Sequence, residues 1–327
     1  MTDMLDTAIV GLGWWGKNLV KAARDIGAPI RFVRGVSLEP DTVRDFAAEY
    51  GFALGTSFEE VLADPQVKAV ILATPHSLHR RQVEAAAAAG KHIYCEKPFA
   101  LSKADAQAML AACAKAGVTV GVGHHFRLMP SMRVLAELKA EDAFGTVMHV
   151  EGNYSHDWLA GLPADSWRMR AEESRAGGMT GMGIHVLDCF RELIGPVKRV
   201  SALSRGRALR LPTGDTTAAL LEFENGATGA LGTTLKTPFR WRIAVFGENC
   251  WAESVSETRS IVRRAKQEPE VIERPAENHL GRNLADFAEA VLAKRAFPIP
   301  PDGILQTAAA LEAVFKSADA DGAWTNV

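Results

Sequence analysis

The chain has 327 residues, 47% of them apolar and 23% charged, with a formal net charge of −2. This length and composition are typical of a globular protein with two domains. The near-neutral charge provides no basic field for nucleic acid and no acidic solvating tail.

The start of the chain and its cysteines indicate a reduced, non-secreted protein. The first residues, MTDMLDTAIVGLGWWG, lack the pattern of a signal peptide, and no uncharged apolar run of about 18 residues predicts a membrane span. The four cysteines are scattered and form no C-x-x-C motif, so we expect neither a zinc site nor a disulfide framework. We therefore expect a cytoplasmic location.

Strand-like and helix-like segments alternate over the first 124 residues. The strand-like segments are TAIVGL, RFVRGVS, KAVILAT, HIYCE and VTVGVGHH. The helical patterns between them include GKNLVKAARDI, PDTVRDFAAEYG, LHRRQVEAAAAAG and SKADAQAMLAACAKAG. Such alternation predicts an α/β Rossmann domain over 1–124, with a doubly wound parallel sheet and helices on both faces.

A different pattern begins near residue 125. After the helical segment PSMRVLAELKAE come long alternating strands, and Asn225-Gly226 within LLEFENGATGAL predicts a hairpin. One helix interrupts the strands near Ile184–Leu193, and two more follow them. Residues 125–327 are therefore predicted to form an α+β domain with a large, mostly antiparallel sheet.

The segment GLGWWG places Gly11, Gly13 and Gly16 in G-x-G-x-x-G spacing. The segment follows a strand and opens a helix, and this context makes it a dinucleotide fingerprint. Trp14 and Trp15 lie inside the loop, where we expect one to contact the cofactor and at least one to pack in the core.

The end of the second strand bears on the choice between NAD and NADP. Ser37 stands where an acid would bind the ribose hydroxyls of NAD, and Glu39 lies two residues further on. Arg34 and Arg44 are candidate partners of a 2′-phosphate, although both also suit a solvated surface. The cofactor is therefore NADP or NAD, with a slight lean to NADP.

Several motifs occur together in an order that is typical of one family. They are GLGWWG, ATPHSLH at 73–79, AGKHIYCEKP at 89–98, SWR at 166–168 and GGMTGMGIHVLD at 177–188. With them the chain resembles the glucose–fructose oxidoreductase / inositol dehydrogenase (Gfo/Idh/MocA) family over essentially its whole length.

The resemblance implies an NAD(P)-dependent dehydrogenase or reductase that acts on CH–OH groups of a sugar, polyol or related cyclic alcohol. It implies that the second domain has a large open sheet through which homodimers or homotetramers form. It also implies two catalytic residues, Lys97 in EKP and His185 in the final motif. Pro98 fixes the chain after Lys97, and we consider a cis bond there.

The final motif departs from the family pattern at Gly181, where relatives carry an aspartate four residues before the histidine. One reading is that Lys97 and His185 suffice. A second is that Asp157, His156 or His125 replaces the acid. A third is that the chain is a weak or silent dinucleotide-binding sensor. Transient oxidation during glycoside processing, with recycled cofactor, is a further alternative.

The resemblance extends to other site residues. The expected cofactor contacts are Gly11, Gly13, Trp14, Trp15, Gly16, Ser37, Thr74, Pro75, His79, Glu96, Lys97, Trp167 and Arg168. The expected substrate contacts are His125, Tyr154, His156 and Asp188. For His79 a purely structural role at the start of a helix is the alternative, and for Trp167 and Arg168 it is simple packing with a solvated charge.

Overall fold

The computed structural model describes residues 3–162, 165–209 and 211–327, which form two compact units. The first unit comprises Met1–His125 and Asn278–Leu305, and the second comprises Phe126–Glu277 and Gln306–Val327. Residues 278–305 thus belong to the first unit although they follow most of the second unit in the chain.

The first unit is built around six strands. These are β1 (Leu5–Val10), β2 (Ile30–Val36), β3 (Ala53–Gly55), β4 (Ala69–Leu72), β5 (His92–Cys95) and β6 (Val120–Val122). Its helices are α1 (Trp14–Asp25), α2 (Arg44–Tyr50), α3 (Phe58–Ala63), α4 (His79–Ala88), α5 (Lys103–Ala116) and α8 (His279–Leu292).

The six strands pair in the order β3-β2-β1-β4-β5-β6, and every pair is parallel. Every residue of β4 is buried, as expected for a central strand covered on both faces. Since all carboxyl ends lie at one edge, the loops after β1, β4, β5 and β6 meet there. The predicted Rossmann fold is confirmed.

Helix α8 explains why 278–305 belongs to the first unit. Its Phe287 is fully buried with its ring 5.7 Å from that of Tyr94, and the Tyr94 hydroxyl donates a hydrogen bond to Asn283 Oδ1 at 2.6 Å. A Cβ on Gly281 would lie 2.4 Å from the carbonyl oxygen of Ala22, so α8 crosses α1 at close range. The core of the first unit therefore includes a helix from late in the chain.

The second unit contains nine strands. These are β7 (Val147–Ser155), β8 (Val197–Arg205), β9 (Thr216–Phe223), β10 (Thr228–Thr234), β11 (Arg240–Gly247), β12 (Cys250–Ser254), β13 (Arg259–Arg264), β14 (Glu270–Glu273) and β15 (Thr325–Asn326). Helices α6 (Pro130–Ala140) and α7 (Gly183–Leu193) belong to it, and α9 (Pro301–Asp319) lies mainly in it. Within the described residues, no helix is long and apolar enough to cross a membrane.

The nine strands form one sheet in the order β14-β13-β12-β11-β7-β10-β9-β8-β15. Every pair is antiparallel except β10 with β7. The predicted hairpin joins β9 to β10, with Gly226 at φ +89° in its turn. Helix α7 packs on one face, where a Cβ on Gly152 would lie 2.3 Å from Val186. The predicted mostly antiparallel sheet is confirmed.

Candidate active site

The glycine loop joins β1 to α1, and two of its glycines are required by close packing. Gly11 has φ +95°, and a Cβ there would lie 2.6 Å from the carbonyl oxygen of Ala73. A Cβ on Gly16 would lie 2.0 Å from the carbonyl oxygen of Gly11. Gly13 differs, because a Cβ there would meet nothing within 4 Å and would project into open space.

The amino end of α1 suits the pyrophosphate of a dinucleotide. Gly13 is the N-cap residue and offers no side-chain cap, and the first turn carries no acidic residue. The backbone amides of this turn therefore remain available to an anion, which the helix dipole also favours. The Trp15 indole Nε1 is buried and has no hydrogen-bond partner among the described residues. These features fit the expected cofactor.

The two loop tryptophans differ in exposure. Trp14 is 70% exposed, and its ring lies 5.4 Å from that of Trp15. Trp15 is only partly exposed, and its ring lies 5.9 Å from that of His125. Trp15 thus packs within the first unit, whereas Trp14 presents its ring to solvent at the start of α1.

The two arginines that are candidate partners of a 2′-phosphate are both paired with carboxylates. Arg34 Nε donates to Asp64 at 2.9 Å, and Arg44 pairs with Asp41 on the surface. The Ser37 hydroxyl accepts a hydrogen bond from the backbone N–H of Glu39 at 3.2 Å. A 2′-phosphate would therefore have to compete with Asp64 or Asp41 for an arginine.

His79 connects the loops that follow β4 and β5. It is fully buried, and its Nδ1 lies 2.9 Å from the carbonyl oxygen of Pro98. Its Nε2 lies 3.2 Å from the carbonyl oxygen of Thr74. The Thr74 hydroxyl donates to Gln82 at 2.5 Å, and Pro75 is only partly exposed. His79 therefore links the loops after β4 and β5 through its two ring nitrogens, and its contact with a cofactor stays a prediction.

Lys97 follows β5 at the carboxyl edge of the sheet and is partly buried. The peptide bond from Lys97 to Pro98 is cis. The Glu96 side chain is buried, and its Oε2 accepts a hydrogen bond from the Lys97 backbone N–H at 3.2 Å. A Cβ on Gly123 would lie 2.6 Å from Glu96 Oε1, so this carboxylate packs against the end of β6.

His125 pairs with a histidine that lies 154 positions later in the chain. The Nδ1 atoms of His125 and His279 lie 2.9 Å apart, and a contact between ring nitrogens at this distance needs one N–H and one lone pair. Burial, followed by the charges of His279, Lys97 and His124, lowers the pKa of His125 well below its usual value. His125 is therefore neutral at physiological pH.

In the second unit, α7 presents His185 to a group of aromatic rings. His185 is 3% exposed, and its ring stacks on Phe126 with centroids 4.1 Å apart and an interplanar angle of 18°. The ring of Tyr154 lies 6.0 Å away. Phe126 also contacts Trp241 at 5.1 Å, so His185 is held by rings that are themselves packed.

Asp188 lies one turn after His185 and is held by Arg127. Arg127 donates to both Asp188 oxygens, at 2.5 and 2.9 Å, and also to Glu192 at 2.6 Å. Burial acts to lower the pKa of Arg127, but the Asp188 charge and hydrogen bonds raise it by more. The Asp188 side chain is 2% exposed and its carboxylate anchors α7, and its contact with a substrate stays a prediction.

Tyr154 connects His185 to the outer rings of the second unit. Its ring lies 5.5 Å from that of His156 and 6.1 Å from that of Phe239. Burial raises the pKa of Tyr154 to about 12, so its hydroxyl stays protonated and can donate. No hydrogen bond joins this hydroxyl to another residue of the described chain.

Trp167 and Arg168 lie in a short 3-10 turn of the second unit, and both are partly buried. The Arg168 guanidinium carbon lies 4.2 Å from the centre of the Trp167 ring. The Arg168 carbonyl oxygen accepts a hydrogen bond from the Ser174 hydroxyl at 2.6 Å. The pair is therefore ordered by its own contacts, and its role towards a cofactor stays a prediction.

Four residues of these clusters were not found from the sequence. They are Phe126, Phe239, Trp241 and His279. Phe239 carried a signal in retrospect, because it is a large aromatic residue in the turn TPF before a strand. His279 carried none, since only the fold brings α8 to the end of β6.

Two family models match the chain. Residues 5–124 match the model described as "Oxidoreductase family, NAD-binding Rossmann fold". Residues 132–253 match the model described as "GFO/IDH/MocA C-terminal domain". The chain belongs to the Gfo/Idh/MocA family of oxidoreductases.

Relatives within the Gfo/Idh/MocA family include sugar dehydrogenases. Levoglucosan dehydrogenase of Pseudarthrobacter phenanthrenivorans is 30% identical over 70% of this chain and 67% of its own length. D-apiose dehydrogenase of Paraburkholderia graminis is 34% identical over 68% of this chain and 59% of its own. The matches therefore span between about half and two thirds of these relatives.

A solved structure supports the fold over the whole chain. Levoglucosan dehydrogenase in complex with NADH and levoglucosan superposes with a TM-score of 0.90. The match covers 99% of this chain and 100% of the other, at 22% identity. At this identity the likeness shows the shared fold.

Proposed function

We propose that the protein is an NAD(P)-dependent oxidoreductase that moves hydride between nicotinamide and a carbinol or carbonyl carbon. The observation that carries the proposal is the position of Lys97. It follows β5 at the same edge of the parallel sheet at which the glycine loop follows β1. Ligands of open parallel sheets bind at this edge.

Lys97 has the role of stabilising negative charge on the substrate oxygen. The bound cofactor supplies or accepts the hydride at its nicotinamide C4. An ammonium that hydrogen-bonds the oxygen stabilises its alkoxide character as the C–H bond breaks. The backbone of Lys97 is fixed by its hydrogen bond to Glu96 and by the contact of His79 with the Pro98 carbonyl oxygen. A fixed backbone limits the positions that the ammonium can reach.

His185 has the role of the general base for the hydroxyl proton. Imidazole suits this role because its ordinary pKa lies near working pH. Stacking on Phe126 fixes the plane of the ring, and the anchored α7 fixes its backbone. In the reverse direction the imidazolium returns the proton to the carbonyl oxygen.

With glycine at 181 in place of the aspartate, proton transfer is left to His185, and another residue must supply the polar substrate contact. Of the candidate replacements, Asp157 is exposed and His125 pairs with His279 in the first unit. His156 packs on Tyr154, which lies beside His185. We infer that Tyr154 and His156 supply the polar substrate contacts in place of a carboxylate.

The cofactor is NAD or NADP, and the structure gives less support to NADP than the sequence does. The sequence favours NADP because residue 37 is serine and not an acid, and because Arg34 and Arg44 lie near the end of β2. Both arginines already hold carboxylates. Isothermal titration of the protein with NADH and with NADPH tests the preference, and tighter binding of NADPH would show that an arginine exchanges partners.

The substrate proposed is a sugar, polyol or related cyclic alcohol, in keeping with the two dehydrogenases among its relatives. The test is a panel of such alcohols with NAD⁺ and with NADP⁺, followed by the near-ultraviolet absorbance of the reduced nicotinamide. Turnover of at least one member supports the proposal. If the cofactor binds and no member of the panel turns over, the oxidoreductase proposal is replaced by the alternative of a silent dinucleotide-binding sensor.

We also propose that the protein is a cytoplasmic homodimer or homotetramer assembled through the second sheet. The face of the sheet opposite α7 presents Leu203 and Leu220, which are 44% and 56% exposed. These side chains line a cavity of about 530 Å³ together with Glu151 and Arg242. A second copy of the same face would cover this apolar surface.

The proposed cytoplasmic location is compatible with the state of the cysteines. All four cysteines are buried free thiols, as expected in a reducing compartment.

A further inference from the structure

Phe239 has an unusual position for a large apolar side chain. It is 66% exposed, although it belongs to a cluster of packed rings in the second unit. Its ring lies 6.1 Å from that of Tyr154 and 6.2 Å from that of His156. An exposed ring that continues a buried aromatic cluster is a surface on which a ligand can stack.

The cluster leads directly from Phe239 to His185. Tyr154 contacts Phe239 on one side, and on the other its ring lies 6.0 Å from His185. Trp241 fixes Tyr154 from the neighbouring strand, since the two residues are paired in register and their rings are 5.6 Å apart. The row of rings therefore runs from an exposed ring to the proposed base.

The surroundings of Tyr154 are largely apolar. Leu159, Met182 and Leu235 form a buried cluster against which Tyr154 packs. The carboxylate of Asp188, one turn after His185, is held by Arg127, and glycine stands at 181. A ligand that turned many hydroxyls towards this surface would find few polar partners besides Tyr154 and His156, and each hydroxyl left unpaired costs about 1–3 kcal/mol.

We propose that Phe239 and Tyr154 form a substrate subsite that selects cyclic alcohols presenting an uninterrupted face of C–H bonds. The ring of the substrate lies flat on Phe239. Tyr154, whose ring is tilted by 69° to that of Phe239, borders the substrate and donates one hydrogen bond from its hydroxyl to a substrate oxygen. This inference rests on the proposed function, since it assigns the substrate class of the same site.

The test compares two ligands that differ in ring closure. In 1,5-anhydro-D-glucitol the ring is closed and all hydroxyls are equatorial, so its faces carry C–H bonds, whereas D-glucitol is its open-chain counterpart. Binding of each is measured by isothermal titration to the full chain saturated with NADH, because the reduced cofactor cannot oxidise an alcohol. The wild-type protein is expected to bind the cyclic ligand more tightly, and equal or absent binding of the cyclic ligand overturns the proposal.

Two variants and a control locate the effect. Phe239→Ala is expected to weaken the cyclic ligand by about three- to tenfold, the range for loss of one aromatic face. Phe239→Leu is expected to lose less, because it keeps apolar area. Trp324→Ala removes a 50% exposed ring elsewhere in the unit and is expected to leave binding unchanged. Unchanged binding in Phe239→Ala, or an equal loss in Trp324→Ala, contradicts the subsite.

The subsite and the proposed function fail separately. If Phe239→Ala binds normally while the wild type still oxidises members of the alcohol panel, the subsite is wrong and the oxidoreductase proposal stands. If the cyclic ligand binds through Phe239 but no alcohol turns over, the subsite stands and the proposed chemistry is wrong. Steady-state kinetics add a second reading, because a stacking residue should raise KM with little change in kcat.

Discussion

An alanine methyl group would have free space at Gly13 but would clash at Gly16, so the two alanine substitutions can be compared directly. Gly13 has φ −69° and ψ −170°, which alanine adopts readily, and a Cβ there would project into open space. We expect Gly13→Ala to keep the stability of the wild type and to weaken cofactor binding by about tenfold or more, since the methyl group occupies the approach of a pyrophosphate. Thermal unfolding and titration with NADH measure the two effects.

Gly16→Ala provides the contrast. Its Cβ would lie 2.0 Å from the carbonyl oxygen of Gly11, so the loop itself must shift. We expect this variant to lose both thermal stability and cofactor binding. If Gly13→Ala binds NADH as the wild type does, the loop does not hold a dinucleotide in the way proposed.

Buried His125 gives the stability a defined pH dependence. Because the folded pKa of His125 lies below its unfolded value of about 6.5, the unfolded chain binds more protons in acid. The free energy of unfolding is therefore expected to fall as the pH drops below about 6.5. The test is denaturant unfolding at several pH values for the wild type and His125→Gln.

His125→Gln should show a shallower loss in acid than the wild type. Burial also lowers the pKa of His92, so part of the slope remains in the variant and only the difference belongs to His125. Parallel curves for the two proteins would show that His125 takes up its proton in the folded state.

At this scale the sequence predicted residues that belong to local motifs. The glycine loop, Lys97 and His185 are recognisable because each lies in a short motif of consecutive residues. The contact between His125 and His279 spans 154 positions, and that between Phe239 and Tyr154 depends on strand pairing. Such contacts follow from tertiary structure and leave no local pattern.

Helix α7 is anchored by Arg127, which forms a buried ion pair with Asp188 and a second, more exposed one with Glu192. The side chains of Arg127 and Asp188 are 9% and 2% exposed. Removing one partner leaves the other charge buried and uncompensated, which costs about 3–5 kcal/mol. We therefore expect Arg127→Met to destabilise the protein by about 3 kcal/mol or more in denaturant unfolding.

A double-mutant cycle separates the charge from the packing. Arg127→Met combined with Asp188→Asn removes both charges, and we expect it to be more stable than Arg127→Met alone. The rate of hydride transfer provides a second readout, since a displaced α7 also displaces His185. If the double variant is as unstable as the single variants combined, the two residues contribute independently and the pair does not anchor α7.

Elements with clear ends or periodicity were predicted well. Ser57 caps α3 by accepting from the Glu60 backbone N–H, and Gly51 ends α2 with φ +74°, so both helix ends carry residue types that favour these positions. The strands that were missed are short or charged and lie at or near the edges of the sheets. They are β3, β13, β14 and β15. Their pairing depends on a neighbour more than on their own composition.

For the whole molecule, we predict that copies of the chain assemble through the open face of the second sheet. Leu220→Glu places a charge in the middle of this face, beside residues that are already exposed in the single chain. We expect the variant to be monomeric by light scattering, while the wild type has the mass of a dimer or tetramer.

Val271→Glu is the control, because Val271 is 60% exposed but lies on the edge strand β14. It should assemble as the wild type does. A monomeric wild type, or an oligomer that tolerates Leu220→Glu, would contradict assembly through this face.

The two-unit organisation was predictable in outline from the change in strand pattern near residue 125. The return of 278–305 to the first unit was not. Helix α8 has an amphipathic pattern that fits either unit, and only its contacts with Tyr94 and Ala22 decide between them. A single helical pattern specifies a buried face without specifying its partner.

The most direct test of the central claim is the single-turnover rate of hydride transfer in Lys97→Met, with saturating cofactor and the best alcohol of the panel. Lys115→Met, which removes an exposed lysine from α5, is the matched control. We predict a loss on the order of 100- to 1000-fold in Lys97→Met and none in the control, as for removal of one donor to a developing oxyanion. Equal rates in the wild type and Lys97→Met would contradict the assignment of Lys97 as the group that stabilises the reacting oxygen.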